Sequence, residues 1–383
     1  MLDRRSFLIS AATLTLGQLV SGCSQNAGDL KVLLLQGSIP PQLTNDFRKT
    51  INLEKKINFQ PEVQIKKIYN WLENWQNQGK NTQSVFSWFA RENDLNKIPS
   101  LVTLGDSWLA TAIQKQLIQP LNPTQLSAWK SLDSRWQNLV KRDQNGQLAQ
   151  NGEVWGAPYR WGNTIIVYRR DKFKDLGWQP KDWEALWHED LRDRISIVDQ
   201  PREVIGLTLK KLSYSYNTTD LTKIPNLSSE LASLHQQIKF YSSDHYLEPL
   251  ILGDTWLAVG WSTDILPLSK RYSNLGFVVP QSGTSLWADL WVQPRLPESN
   301  FGELSQWINF CWRPLAANQI SLFTNAISPI AITMKPTELP QNLQKNFFFQ
   351  ASLKSFARSE FLAPLSSQTN QQYQELWQKI RQA

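Results

Sequence analysis

Apolar positions along the chain fall into short runs separated by longer amphipathic stretches. Leu30 to Gln36 is a mostly apolar run of strand length, and Ile57 to Val63 is a second. Between them Pro40-Pro41 opens a helix with Leu43, Phe47 and Ile51 on one face. Ile65 to Gln78 repeats the helical spacing, with Ile68, Leu72 and Trp75 at i, i+4 and i+7. Ser100 to Leu104 reads as a third strand, followed by helices at Trp108 to Gln116 and around Pro123 to Val140. After Gly162 the β-branched run to Tyr168 marks a strand. Ile195 to Val198, Trp256 to Trp261 and Leu286 to Val292 mark others. Helices are expected from Pro201 to about Leu212 and from Gln371 to Arg381, the latter with a stripe of Tyr373, Leu376, Trp377 and Ile380. Strand alternating with helix, without hairpin signals, predicts an α/β architecture with a largely parallel sheet.

The first 23 residues follow a different rule. Arg4-Arg5 precede Ser6-Phe7-Leu8 and an apolar run ending in Val20-Ser21-Gly22-Cys23. This layout is that of a twin-arginine export signal, and its end resembles a bacterial lipoprotein cleavage box. The resemblance implies a signal peptide over 1–22, lipidation of Cys23, and a polar tether over 23–29 holding a periplasmic domain to a membrane. Phe7 to Val20 is too short to span, since a bilayer needs about 20 apolar residues.

Removing the signal leaves about 360 residues, enough for two lobes. The net charge of +7 is spread along the chain, so no basic face for nucleic acid is expected. Cys311, in an apolar helical stretch, has no partner for a disulfide and reads as a small buried hydrophobe. His188, His235 and His245 are not at metal-ligand spacing, and no Gly-x-Ser-x-Gly elbow or phosphate-binding glycine loop occurs. No cofactor, metal or catalytic role is expected. Tryptophan is abundant, with 18 residues against 2 methionines. Most must fill the core, leaving two to four to meet a ligand by stacking on cations or apolar faces.

The block Gly156-Ala157-Pro158-Tyr159-Arg160-Trp161-Gly162 resembles the periplasmic spermidine/putrescine-binding proteins, the solute-binding components of polyamine ABC transporters. Further pieces follow in that family's order: Trp183 to Trp187, Asp199-Gln200-Pro201-Arg202-Glu203-Val204, Leu212 to Asp220, and Trp287-Ala288-Asp289. The resemblance implies a two-lobe, type II periplasmic-binding-protein-like α/β fold. Each lobe is expected to be a mostly parallel sheet flanked by helices, with crossing strands near Tyr159 to Gly162 and Trp287 to Leu290. Lobe one would hold 30–160 plus 289–329, and lobe two 161–288 plus 330–383. It implies a monomer that binds a polyamine or similar organic cation between the lobes and delivers it to a membrane permease and its ATPase. The same fold with another solute, such as a sugar or an oligopeptide, or a sensor without transport, are the alternatives.

Site residues carry over one by one. Trp287 and Asp289 match a Trp-x-Asp that walls and grips an ammonium. Trp261 matches a stacking ring, Asp264 a nearby carboxylate, and Glu203 an acid at a helix start. Asp106 and Ser107 lie in a ligand-facing loop. Each also has a plainer reading: an ion pair for Asp289, a core position for Trp261, a helix cap for Asp264 or Asp106, and a dipole contact for Glu203. Gln200 stands where spermidine-type members carry an acid, Gly37-Ser38-Ile39-Pro40 lacks expected aromatic and acidic residues, and Ile327 replaces an expected tyrosine.

Overall fold

The computed structural model describes residues 30–50, 57–81, 99–295 and 301–382. The signal, Cys23 and Ile51 lie outside them. On one flank β1 (Leu30–Leu35), β2 (Ile57–Glu62) and β3 (Leu101–Gly105) run parallel, with β1 in the middle. Pro61 sits in β2, which has β1 as its partner; an edge strand can spare the missing N–H. Three two-residue strands follow: β4 (Ile118–Gln119), β5 (Lys141–Arg142) and β6 (Glu153–Val154). Then comes the 13-residue β7 (Ala157–Arg169). The opposite flank holds β8 (Ile195–Ile197), β9 (Ile238–Tyr241) and β10 (Leu257–Trp261), again parallel. β11 (Leu275–Val278) pairs antiparallel with β7, the ten-residue β12 (Ser285–Pro294) pairs antiparallel with both β3 and β7, and β13 (Glu360–Phe361) lies beside β12. The path across the sheet is β2-β1-β3-β12-β7-β10-β8-β9.

The sheet is therefore parallel on both flanks and antiparallel at its centre. β7 and β12 are buried along nearly their whole length, as strands covered on both faces must be, which explains their near-continuous apolar sequences. β7 starts at Ala157, earlier than the β-branched run suggests, because β12 pairs with it across Pro158 and Gly162. Their register shifts once: Leu290 faces Pro158 and Asp289 faces Arg160, leaving Tyr159 as a bulge. Tyr159 stacks on Trp291 at 4.2 Å, and its hydroxyl lies 3.1 Å from Thr103 Oγ1.

Helices cover the sheet. Pro41–Thr50 buries Leu43 and Phe47, and Phe47 meets Trp307 at 5.0 Å. Ile65–Asn81 buries Ile68 and Leu72, with Trp75 half-buried. Ser367–Arg381 buries Tyr373 and Ile380 but leaves Leu376 and Trp377 half-buried. Pro123 to Val140 is less helical than its spacing suggests. Asn122 and Asp133 each accept a backbone N–H as caps and cut it into 3-10 turns and one helix, Ser134–Val140. Cys311 is buried and free. Tryptophans 136, 161, 183, 291 and 307 are wholly enclosed. No helix of the described residues is long and apolar enough to cross a membrane.

Candidate functional site

In an open α/β sheet the C-terminal ends of parallel strands face a common crevice. Here β3 from one flank ends opposite Asp289 of β12, and β10 from the other ends opposite Thr164 of β7, with β8 beside it. All seven expected ligand residues lie on β12, at the end of β10, or in the first turns of the helices that follow β3, β8 and β10.

Asp106 follows β3 directly. The helix here is Asp106–Gln114, two residues earlier than the apolar spacing implies. Asp106 is therefore not a cap but the first helical residue, with Gly105 at the cap position. Its carboxylate is aimed sideways and accepts the Ala288 N–H at 3.0 Å. Burial pushes this carboxyl up to about 7, over the opposing Ala288 hydrogen bond and the Arg142 charge, with Asp289 adding to the rise. Arg142 is itself buried and lowered to about 10. Ser107 is exposed, and its backbone N–H also faces the Asp106 carboxylate.

Asp289 is buried opposite Arg160, whose Nε donates to Oδ2 at 2.6 Å. Burial is the strongest influence and works against the Arg160 charge, but the Asp289 carboxylate and the Tyr159 side chain together hold the guanidinium above its ordinary value, while burial raises the Asp289 carboxyl against the Arg160 charge. Of the two readings of Asp289, the structure displays the ion pair. Arg160 also lies 5.9 Å from the centre of the Trp287 ring, and its charge reaches Asp264. Trp287, half-buried, packs against Gly162; a Cβ there would sit 2.4 Å from Trp287 Cζ2. The Trp287 indole N–H is buried without a hydrogen-bond partner.

The other flank supplies Glu203, Trp261 and Asp264. Glu203 is in the first turn of Pro201–Lys211, where a carboxylate suits the helix dipole, and is buried. The Ser285 hydroxyl donates to it and lies 2.9 Å from Thr164 Oγ1. Burial raises the Glu203 carboxyl, against hydrogen bonds from the side chains of Ser285, Thr164 and Trp261. Trp261 ends β10, half-buried, and its N–H donates to the Tyr246 hydroxyl at 3.1 Å. That hydroxyl donates to Asp264 Oδ2 at 3.1 Å. Asp264 is exposed in the first turn of Ser262–Arg271. Tyr246 reaches this place because Gly260 has no side chain: a Cβ would lie 2.1 Å from its ring.

The structure thus joins Asp106, Asp289, Asp264 and Glu203 with Trp261 and Trp287 into one continuous cluster across β7 and β12. Ser107 stands at its rim. Gln200 is exposed and its amide donates to Ser243 Oγ at 3.1 Å. Ile327 is buried and pairs through its backbone with Trp161, 2.8 Å in both directions. Arg160, Arg142, Tyr246, Ser285 and Thr164 belong to the cluster without having been singled out. Arg160 had a signal: a lone guanidinium inside an apolar strand needs an acid. No group of acids, histidines and cysteines that could hold a metal occurs among the described residues.

A sequence model for bacterial extracellular solute-binding proteins matches residues 96–351. The putrescine-binding periplasmic protein PotF of Escherichia coli (strain K12) is 28% identical over 237 residues, 58% of this chain and 62% of that protein. The chain thus spans less than two thirds of that relative's length. The spermidine/putrescine-binding periplasmic protein of Salmonella typhimurium is 25% identical over 317 residues, 82% of this chain and 81% of that protein. Among solved structures, the spermidine/putrescine ABC transporter substrate-binding protein PotD from Streptococcus pneumoniae, in complex with calcium and HEPES, superposes with a TM-score of 0.73 at 20% identity. That match covers 93% of this chain and 99% of the other. The Tp0655 (TpPotD) lipoprotein of Treponema pallidum gives 0.63 at 16% identity, covering 92% and 99%. These structures establish the expected two-lobe α/β fold.

Proposed function

The chain belongs to the bacterial extracellular solute-binding proteins, and from that premise we propose that it binds a polyamine or similar organic cation where β7 and β12 meet the strand ends. One observation carries the reading: three carboxyl groups that form no ion pair, Asp106, Asp264 and Glu203, lie with the Arg160–Asp289 pair around two half-buried indoles, while the Arg142 and Arg202 charges reach Asp106 and Glu203. Buried carboxylates without matching cations are costly, and a polycation with methylene spacers offsets that cost while the rings wall its methylenes. Charge-assisted hydrogen bonds contribute about 1.5–3 kcal/mol each, and a desolvated cation–π contact about 2 kcal/mol. A micromolar site needs about 8 kcal/mol. Two carboxylates and two rings sum to about 7–10 kcal/mol before the flexible ligand is ordered, which brackets that requirement.

In this reading the two flanks of the sheet are the lobes, hinged on β7 and β12. The protein hangs from a membrane through lipidated Cys23 and presents its ligand, as a monomer, to a permease and its ATPase. The test is calorimetry and thermal shift of the purified protein against polyamines, amino acids, sugars and metal ions. Saturable binding of an amine with a raised melting temperature is expected. A response to a sugar or peptide and none to any amine refutes the assignment.

A further inference from the structure

The Arg160–Asp289 pair bears on which amine fits. The two residues face each other directly in the β7–β12 register, next to the Tyr159 bulge, and both are buried. Arg160 Nη1 also reaches the Thr324 carbonyl at 3.4 Å. The guanidinium is therefore set by the fold and is not a surface charge that drifts onto the acid. A ligand ammonium at Asp289 would have to evict it and leave a buried cation unpaired, a strongly unfavourable exchange.

The remaining acids sit at two ends. Asp106 comes from the β3 flank, and Glu203 with Asp264 from the β8–β10 flank. None of the ion pairs among the described residues involves these three. Gln200, at the start of the helix that carries Glu203, offers an amide rather than a further acid. Two ends suit two ammonium groups. A third positive charge between them would meet Arg160.

Resting on the polyamine reading above, we propose that Arg160 is a built-in cation that occupies Asp289 in place of one ligand ammonium, so that the cleft selects a diamine over a triamine. Arg160 is then a specificity determinant, and Asp289 acts on the ligand through it.

The test is calorimetry of putrescine and spermidine with the purified wild-type protein and two variants. Wild type should prefer putrescine by at least about tenfold. Arg160→Gln uncovers Asp289 and should raise spermidine affinity at least about tenfold, erasing the preference. Arg160→Lys keeps a cation on the acid and should keep it. If Arg160→Gln does not fold, the wild-type preference and its persistence in Arg160→Lys decide. Equal affinities in wild type, an unchanged preference in Arg160→Gln, or loss of the preference in Arg160→Lys would each overturn the inference alone. Binding of neither amine to wild type overturns the polyamine reading and the inference with it.

Discussion

Ligand binding should drive a proton off Asp106. Its carboxyl is buried and pushed up to about 7, facing Asp289, Arg142 and the Ala288 N–H. Such a group is about nine-tenths protonated at pH 6 and one-tenth at pH 8. Alkyl ammonium groups titrate near 10, so an amine ligand stays charged throughout, and Arg142, at about 10, does too. An ammonium beside the carboxylate favours its ionised form. Binding should then release about 0.9 proton at pH 6 and about 0.1 at pH 8, and affinity should fall about tenfold, or about 1.4 kcal/mol, from pH 8 to pH 6. Calorimetry in two buffers of different ionisation heat reads the proton count directly. Asp106→Asn should abolish the release and weaken binding at pH 8 by at least about tenfold. Stability gives a second reading. The folded carboxyl holds its proton where the unfolded one has lost it. Its contribution is therefore present below about pH 4 and lost as pH rises through about 7, and Asp106→Asn should flatten that fall. Equal proton release at both pH values, or release that survives in Asp106→Asn, refutes the placement of Asp106 against the ligand.

Gly162→Ala places a methyl group 2.4 Å from both Trp287 Cζ2 and Ser262 Oγ; it should lower stability by about 1–3 kcal/mol in chemical denaturation, and an unchanged midpoint would contradict the close approach. Trp261→Ala removes a wall and a donor to Glu203; about 30-fold weaker amine binding is expected, and wild-type affinity would place Trp261 in the core alone. Cys23→Ser should release the protein from membranes in fractionated cells, whereas wild type found soluble with an unmodified thiol would rule out the anchor.

Much of the fold was legible because its period is strong. Leu30–Leu35, Ile57–Glu62 and Pro201–Lys211 begin and end within a residue or so of where apolar spacing puts them. Misreadings arise where local signals and tertiary pairing disagree. Pro158 and Gly162 look like breakers, yet β12 recruits both into β7, and Asn122 and Asp133 break a helical pattern by capping it. The antiparallel centre was hidden because antiparallel pairing between strands far apart in sequence leaves no hairpin signature. Within the site, acids and rings were readable as residue types. Their partners were not: Arg160 meets Asp289 across strands 129 residues apart in sequence, and Tyr246 reaches Asp264 over Gly260. Such contacts follow from register, which is a property of two segments at once.

The bulge at Tyr159 works as a phase shifter. Side chains alternate along a strand with period two, and Trp287, Asp289 and Trp291 share one face of β12. Opposite them stand Gly162, Arg160 and Ala157, so the even-numbered parity of β7 becomes odd beyond the bulge. One continuous strand is read in one phase by the far flank and in the opposite phase by the near one. Deleting Tyr159 would remove this extra residue and leave Pro158 and Ala157 opposite Leu290 and Trp291 in an unbroken ladder, so the faces on either side would be kept. What would be lost is the ring stacked on Trp291 and the hydroxyl beside Thr103. Deleting a paired neighbour instead would put the near end of β7 out of phase with β12.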